Sequence, residues 1–226
     1  MRINRRRFQT SLILLALPLI FALSAKASSD GDRKETKYRW DIVHISSFSR
    51  VTANPGGFAS ALANDGTKIT VTGRGTFDPQ EPDEVTGGGT WTTFAPNGTT
   101  VTGSGTYLVQ QLVRFTLAPG VQTAGLVDNI PGAIGDLTDN RAGLLFVKVA
   151  YSDGSKGVLV VSCHLNGGPD FVARPAAPAG IFEGITASKG YVDYWNRVAP
   201  IGAPAPVDGN RTLFHILSQD ENQDQE

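Results

Sequence analysis

The sequence predicts an all-β fold, a single closed or nearly closed antiparallel β-barrel of about eight to ten strands with long loops. Three features carry that expectation. One seven-residue pattern recurs as VTGRGTF (Val71 to Phe77), VTGGGTW (Val85 to Trp91) and VTGSGTY (Val101 to Tyr107). The other apolar runs are short and separated by clusters of Gly, Pro, Asn and Asp, the punctuation of strands and turns. No stretch beyond the first 27 residues has a convincing amphipathic helical pattern.

The repeats begin 14 and then 16 residues apart, which suits strand, connection and strand in an antiparallel meander. Side chains alternate along a strand, so each repeat puts its Val, two Gly and aromatic residue on one face. Its two Thr and the variable residue take the other face. Alternate glycines let a sheet bend sharply and let rings from neighbouring strands lie on bare backbone, as in the inner wall of a small barrel.

The first 27 residues read as an export signal. Arg2, Arg5, Arg6 and Arg7 form a basic start, Ser11 to Ser24 is apolar, and Ala25-Lys26-Ala27 is a small-x-small cleavage pattern. The apolar run is short for a membrane span, and no later run approaches its length, so stable membrane insertion is not expected. Asn4-Arg5-Arg6-Arg7-Phe8 resembles a twin-arginine signal, with an ordinary secretory signal as the alternative. The expected destination is secreted or periplasmic. Residues 28–38 read as a flexible leader, 39–217 as the β-barrel domain, and 218–226 as a disordered acidic tail.

Removing the signal takes away five basic and no acidic side chains, turning 20 basic and 21 acidic into 15 against 21. An acidic chain without a basic stripe has little to offer phosphate backbones, so nucleic acid is not an expected partner. Cys163 is the only cysteine, and packing rather than disulfides must hold the domain. The first strand is expected from Trp40 to Ile45, a second from Phe58 to Ala63, and a turn at Asn64-Asp65-Gly66-Thr67. Ala95-Pro96-Asn97-Gly98 should join residues 87–94 and 99–109 as a hairpin. Leu112 to Leu117 either bends around the barrel or forms a further strand. The clearest hairpin pairs residues 143–151 with 158–165, and short strands follow at 181–187, 191–195 and 211–217. Between them, residues 118–142 are irregular and are the natural place for a lid over a barrel mouth.

The Gly-x-Gly-Thr-aromatic strands, with Gly180-Ile181-Phe182-Glu183-Gly184 and Gly190-Tyr191-Val192, resemble the strand motifs of allene oxide cyclase and dirigent barrels. They also resemble a group of exported bacterial proteins with glycine-rich strands. A looser likeness, to avidin and lipocalin barrels, runs through Gly89-Thr90-Trp91 and Thr102 to Tyr107, although in those families the Gly-x-Trp element lies in the first strand. The cyclase and dirigent resemblance implies a barrel with a hydrophobic lumen and transfers no catalytic residue.

Residue chemistry narrows the functional classes. His44, His164 and His215 are far apart in sequence and lack metal-site spacing, so no metal and no cofactor is expected. There is no Gly-x-Ser-x-Gly elbow, phosphate-binding loop or dinucleotide fingerprint. The acidic loop Asp78 to Glu84 matches no calcium-loop spacing. Cys163 lies in a Val-rich run and reads as core. Glu183 shares a strand face with Ile181 and Ile185, and Asp41 with Val43 and Ile45; desolvation there would raise a carboxyl pKa toward proton transfer. Glu183 and Asp41 are therefore the candidate catalytic residues, against a reading as rim carboxylates. Phe77, Trp91 and Tyr107 are the candidate ligand-binding residues. The expected function is an exported β-barrel that binds a small hydrophobic molecule in its lumen, in an enzymatic version a cyclase or isomerase acting by shape and a carboxylate. The alternative is a non-catalytic structural or protein-interaction module with a solid core.

Overall fold

Among the described residues, fourteen strands, all in one sheet, build the domain: β1 (Tyr38–Ile45), β2 (Thr52–Asn54), β3 (Ala59–Leu62), β4 (Lys68–Val71), β5 (Arg74–Phe77), β6 (Gly88–Phe94), β7 (Val101–Ala118), β8 (Val127–Asp128), β9 (Asn140–Tyr151), β10 (Lys156–Cys163), β11 (Gly184–Lys189), β12 (Val192–Tyr194), β13 (Asn196–Arg197) and β14 (Asp208–Ile216). The computed structural model describes residues 37–45, 52–118, 127–130, 139–164, 183–198 and 208–217, and no α-helix occurs among them. The export signal, most of the leader, the acidic tail and most of residues 118–142 lie outside the described residues.

Six strands close a ring in the order β1, β5, β6, β7, β9, β14 and back to β1, every pair antiparallel. The barrel class is as the sequence predicts, but the strand count is higher, because eight further strands lie outside the ring. One cause is the first repeat, which is not one strand. It divides at Thr72-Gly73 into β4, which pairs with β3, and β5, which pairs with β1. The same chain thus changes neighbours on one edge while keeping β6 on the other. The short strands β2, β8 and β13 have too few residues to show periodicity, and tertiary pairing alone makes them strands.

The two expected hairpins are present as β6–β7 and β9–β10. The run from Leu112 to Leu117 continues β7, which reaches 18 residues and shifts register between Val109 and Gln111 and again between Leu112 and Arg114. Extra residues at such points bend a strand, letting one strand follow the barrel wall. Glu183 stands one residue before β11 rather than inside a strand.

The apolar face of the repeats turns inward as the alternation requires. Val71, Phe77, Trp91 and Tyr107 are buried, while Thr90, Ser104 and Thr106 on the opposite face are exposed. Val101 departs from the pattern at 55% exposure, because it begins β7 and pairs across a bulge with Phe94 at the sheet margin. Trp40 lies on the bare backbone of the first repeat: a Cβ on Gly73 would stand 3.1 Å from its ring and one on Gly75 2.7 Å from its Nε1. The Gly75 Cβ would also overlap the Thr86 carbonyl, which is backbone and cannot swing away. Gly75→Ala should therefore lower the unfolding free energy by about 3 kcal/mol, the upper range for overpacking a core. Urea denaturation of the two proteins would measure it.

Candidate functional site

The three rings of the repeats occupy the interior, where they meet other rings and glycine backbone. Phe77 stacks on Tyr38 at 5.4 Å between centroids and meets Phe115 and Phe214 edge-on. Trp91 and Tyr107 both approach Tyr151, at 6.0 and 6.1 Å. Trp91 also lies over Gly103 and Gly105, and its Nε1 donates to the Thr106 carbonyl at 3.1 Å. The Tyr107 hydroxyl reaches across to Gly73 and donates to the Thr72 carbonyl at 2.8 Å. Lys189 closes the Trp91 end, its ammonium 4.0 Å from that ring centre and paired with Asp153. Phe77 therefore belongs to one aromatic group, and Trp91 and Tyr107 to another.

Glu183 sits at a fork in the sheet. On one edge β9 pairs first with β14, through Asn140 and Arg141, and then with β10, from Gly143 to Ala150. The two partners part there, which would orphan their amide hydrogens. Glu183 fills the gap: one oxygen accepts from the His164 N–H at 2.8 Å, the other from the Thr212 N–H at 2.7 Å. The Thr212 hydroxyl completes the joint by donating to the Ser162 carbonyl at 2.6 Å. Burial pushes the Glu183 carboxyl up to about 7 even though the two amides and Arg211 favour the anion. Cys163 is fully buried beside it, and burial together with the Glu183 charge pushes the thiol well up, away from nucleophilic character.

Asp41 belongs to a different cluster, on the opposite side of the barrel wall from Trp40. Arg39 and Asp41 share one face of β1 two residues apart, and the guanidinium grips the carboxylate at 2.6 and 2.8 Å. Burial raises the Asp41 pKa, opposed by Arg39, His215 and Arg74. Across the β1–β14 ladder Arg39 faces His215, and His215 in turn faces Asn140 on β9. The His215 Nε2 lies 2.6 Å from Asp128, held on β8 by its pairing with β2. Burial would raise the Asp128 pKa, but the His215 contact, the Ile130 N–H and Arg39 outweigh it and hold the carboxyl below its usual range. The His215 Nδ1 and both amide atoms of Asn140 are buried without a hydrogen-bond partner.

An open cleft of about 240 Å³ adjoins this cluster, lined by Asp41, Ile42, Pro55, Gly56, Thr72, Gly73, Arg74, Gly88 and Gly89. It lies where β4 passes into β5. Arg74 and Gly88 are direct cross-strand partners, so no side chain on β6 covers the space beside the guanidinium. Asp41 forms part of the lining and Glu183 does not; Phe77, Trp91 and Tyr107 lie behind the wall. Among the described residues no three His, Cys, Asp or Glu side chains gather closely enough to hold a metal ion.

The sequence reading singled out Asp41 but missed Arg39, Arg74, Asp128 and His215. Arg39-x-Asp41 was a legible signal, since alternation places both on one face. Arg74 was legible as the variable position of the first repeat, on the hydroxyl face, where the second repeat has Gly88. Asp128 and His215 had no such signal, because 87 residues separate them. The fold and the cleft define a single-sheet barrel, antiparallel around its ring, with an open cleft on its outer wall. No protein-family model, curated protein or solved structure matches the chain.

The fork gives Glu183 a measurable signature. A carboxyl raised in the folded state contributes stability in full below its unfolded value of 4.5 and loses it as pH rises through about 7. Wild-type protein should lose roughly 3 kcal/mol relative to Glu183→Gln between pH 4 and pH 8, since each tenfold change in proton affinity is worth about 1.4 kcal/mol. Urea unfolding of both proteins at several pH values checks it. A difference that stays flat with pH would remove Glu183 from the titration.

Proposed function

We propose that this protein is an exported β-barrel, of the general kind seen in allene oxide cyclase and dirigent proteins, that binds a small, partly apolar molecule. The binding site is the outer cleft over Gly73 and Gly88, and the space between Phe77, Trp91 and Tyr107 is core. One observation carries this reading: the hollows left by the repeat glycines are filled by the chain's own rings, while the gap at Gly88 stays open between Arg74 and exposed apolar surface. Ligand sites are concave and mostly apolar, with a few convergent polar groups. The cleft has that composition, with Pro55 as an apolar wall, the backbone of Ile42 and the glycines as its floor, and Asp41 and Arg74 as its charged groups.

Binding without chemistry is the better-supported form. Both oxygens of Glu183 accept amide hydrogens, and both oxygens of Asp41 accept from Arg39. A carboxylate so engaged has a structural task that competes with proton transfer. A second reading, an interaction module, draws on the edge strand β12, which among the described residues pairs only with β11 and is flanked by the fully exposed Tyr191 and the 66% exposed Trp195.

Native mass spectrometry of the protein secreted by its own host tests the small-molecule reading. The intact complex should carry an excess mass that leaves on denaturation. Pro55→Trp, at an exposed turn position on the cleft wall, should abolish the excess at unchanged melting temperature. An excess that survives in Pro55→Trp would place the ligand elsewhere, and an empty wild-type protein would favour the interaction module.

A further inference from the structure

We infer that the outer cleft selects a small organic carboxylate whose apolar body spans about 10 Å, twice the spacing of neighbouring strands. The inference rests on the cleft being the binding site and adds the chemistry of its ligand. It follows from one cross-strand row on the outer face. Arg74 on β5 stands opposite Gly88 on β6, and Gly88 stands opposite Leu108 on β7. On its other side Arg74 stands opposite Asp41 of β1, so the row runs from a carboxylate already gripped by Arg39 to a guanidinium, a gap and an apolar side chain.

Beyond that carboxylate, each member of the row is available to a ligand. Arg74 is exposed and has no hydrogen bond or ion pair to another described residue. Leu108 is 63% exposed, and its Cδ2 lies 3.3 Å from where a Cβ on Gly88 would stand. The gap between them is kept open by packing, because that Cβ would overlap the Tyr107 carbonyl. A larger residue at 88 is therefore excluded by the barrel itself, and the empty row is a lasting feature of the surface.

Charge selects the head group. The cleft lining holds one acid, Asp41, and one base, Arg74. Asp41 is already neutralised by the two-pronged grip of Arg39, and its burial favours the uncharged form further. The charge left to meet a ligand is the Arg74 guanidinium, whose planar pair of N–H donors matches a carboxylate with two parallel hydrogen bonds. An ammonium ligand would find its only anion taken. Behind the head group, the bare backbone of Gly73, Gly88 and Gly89 offers a flat bed, with Pro55 on one side and Leu108 beyond.

Titration calorimetry of the mature protein with three probes of matched shape tests this: 3-phenylpropionate, 3-phenylpropionamide and 3-phenylpropylamine. The acid should bind at least tenfold more tightly than the amide, and the amine should bind most weakly. Arg74→Gln should bring the acid down to the amide and leave the amide unchanged. Added salt should weaken the acid alone. Equal binding of acid and amide, or an acid preference that survives Arg74→Gln, overturns the inference while leaving the cleft a binding site. If none of the three binds, the inference also falls; the excess mass on the native protein then decides separately whether the cleft reading stands.

Discussion

Rings lying on bare glycine backbone hold this barrel together. Trp40 covers Gly73 and Gly75, Trp91 covers Gly103 and Gly105, and the Tyr107 hydroxyl reaches Gly73. A six-stranded ring has little room inside, and residues with a Cβ at every inward position would leave none for indoles and phenols. Glycine removes the obstructing atom, the rings take its place, and the apolar area they bury replaces what glycine itself cannot provide. The polar tips of two rings also find backbone carbonyls, Trp91 at Thr106 and Tyr107 at Thr72, so the core is pinned as well as filled. The solid interior and the sharp curvature have the same origin.

The same economy of space explains where polar groups are buried. Closing a ring inside a larger sheet requires strands to part, and parted strands expose amide hydrogens. At the β10–β14 fork, Glu183 supplies two carboxylate oxygens in place of a missing strand's carbonyls. At the other division, between β4 and β5, the Ile42 N–H donates to the Gly73 carbonyl at 2.9 Å, and the Gly57 N–H donates to the Ile42 carbonyl at 3.2 Å. Backbone closes that fork, so no acidic residue is needed there. The difference places a titrating group at one joint and an open cleft beside the other.

Within the ring, β1 and β14 are buried on both faces, the outward face of this pair carrying Arg39, Asp41 and His215 where the inward face carries Tyr38, Trp40 and Phe214. Arg39 pairs with Asp41 and His215 with Asp128 there, as buried polar and charged groups must. Because Arg39 takes Asp41 and His215 takes Asp128, each carboxylate of the cluster has a partner within it. Arg74, the cross-strand neighbour of Asp41, acts on that carboxylate only through its field and makes no hydrogen bond or ion pair with another described residue, so it leaves the cleft with an excess of positive charge.

The sequence by itself determined the class of fold, the strand positions of the two main hairpins and, Val101 apart, the inward face of the repeats. Those are properties of local period and turn chemistry, and a side-chain alternation of two fixes them without reference to distant strands. It also marked Asp41 as a candidate acid on the first strand, against a rim carboxylate, and the structure decided that it is buried. Only the tertiary structure decided that the first repeat breaks at Thr72-Gly73, that Glu183 bridges a fork, and that Asp128 meets His215. Each depends on which strands become neighbours across long stretches of chain, and in a barrel that choice is made by ring closure and packing, which leave no mark in the local pattern. The meaning of Arg74 was divided between the two. Its place on the outer face was written in the repeat, whereas the gap that gives it something to face exists only because Gly88 pairs with it across the sheet.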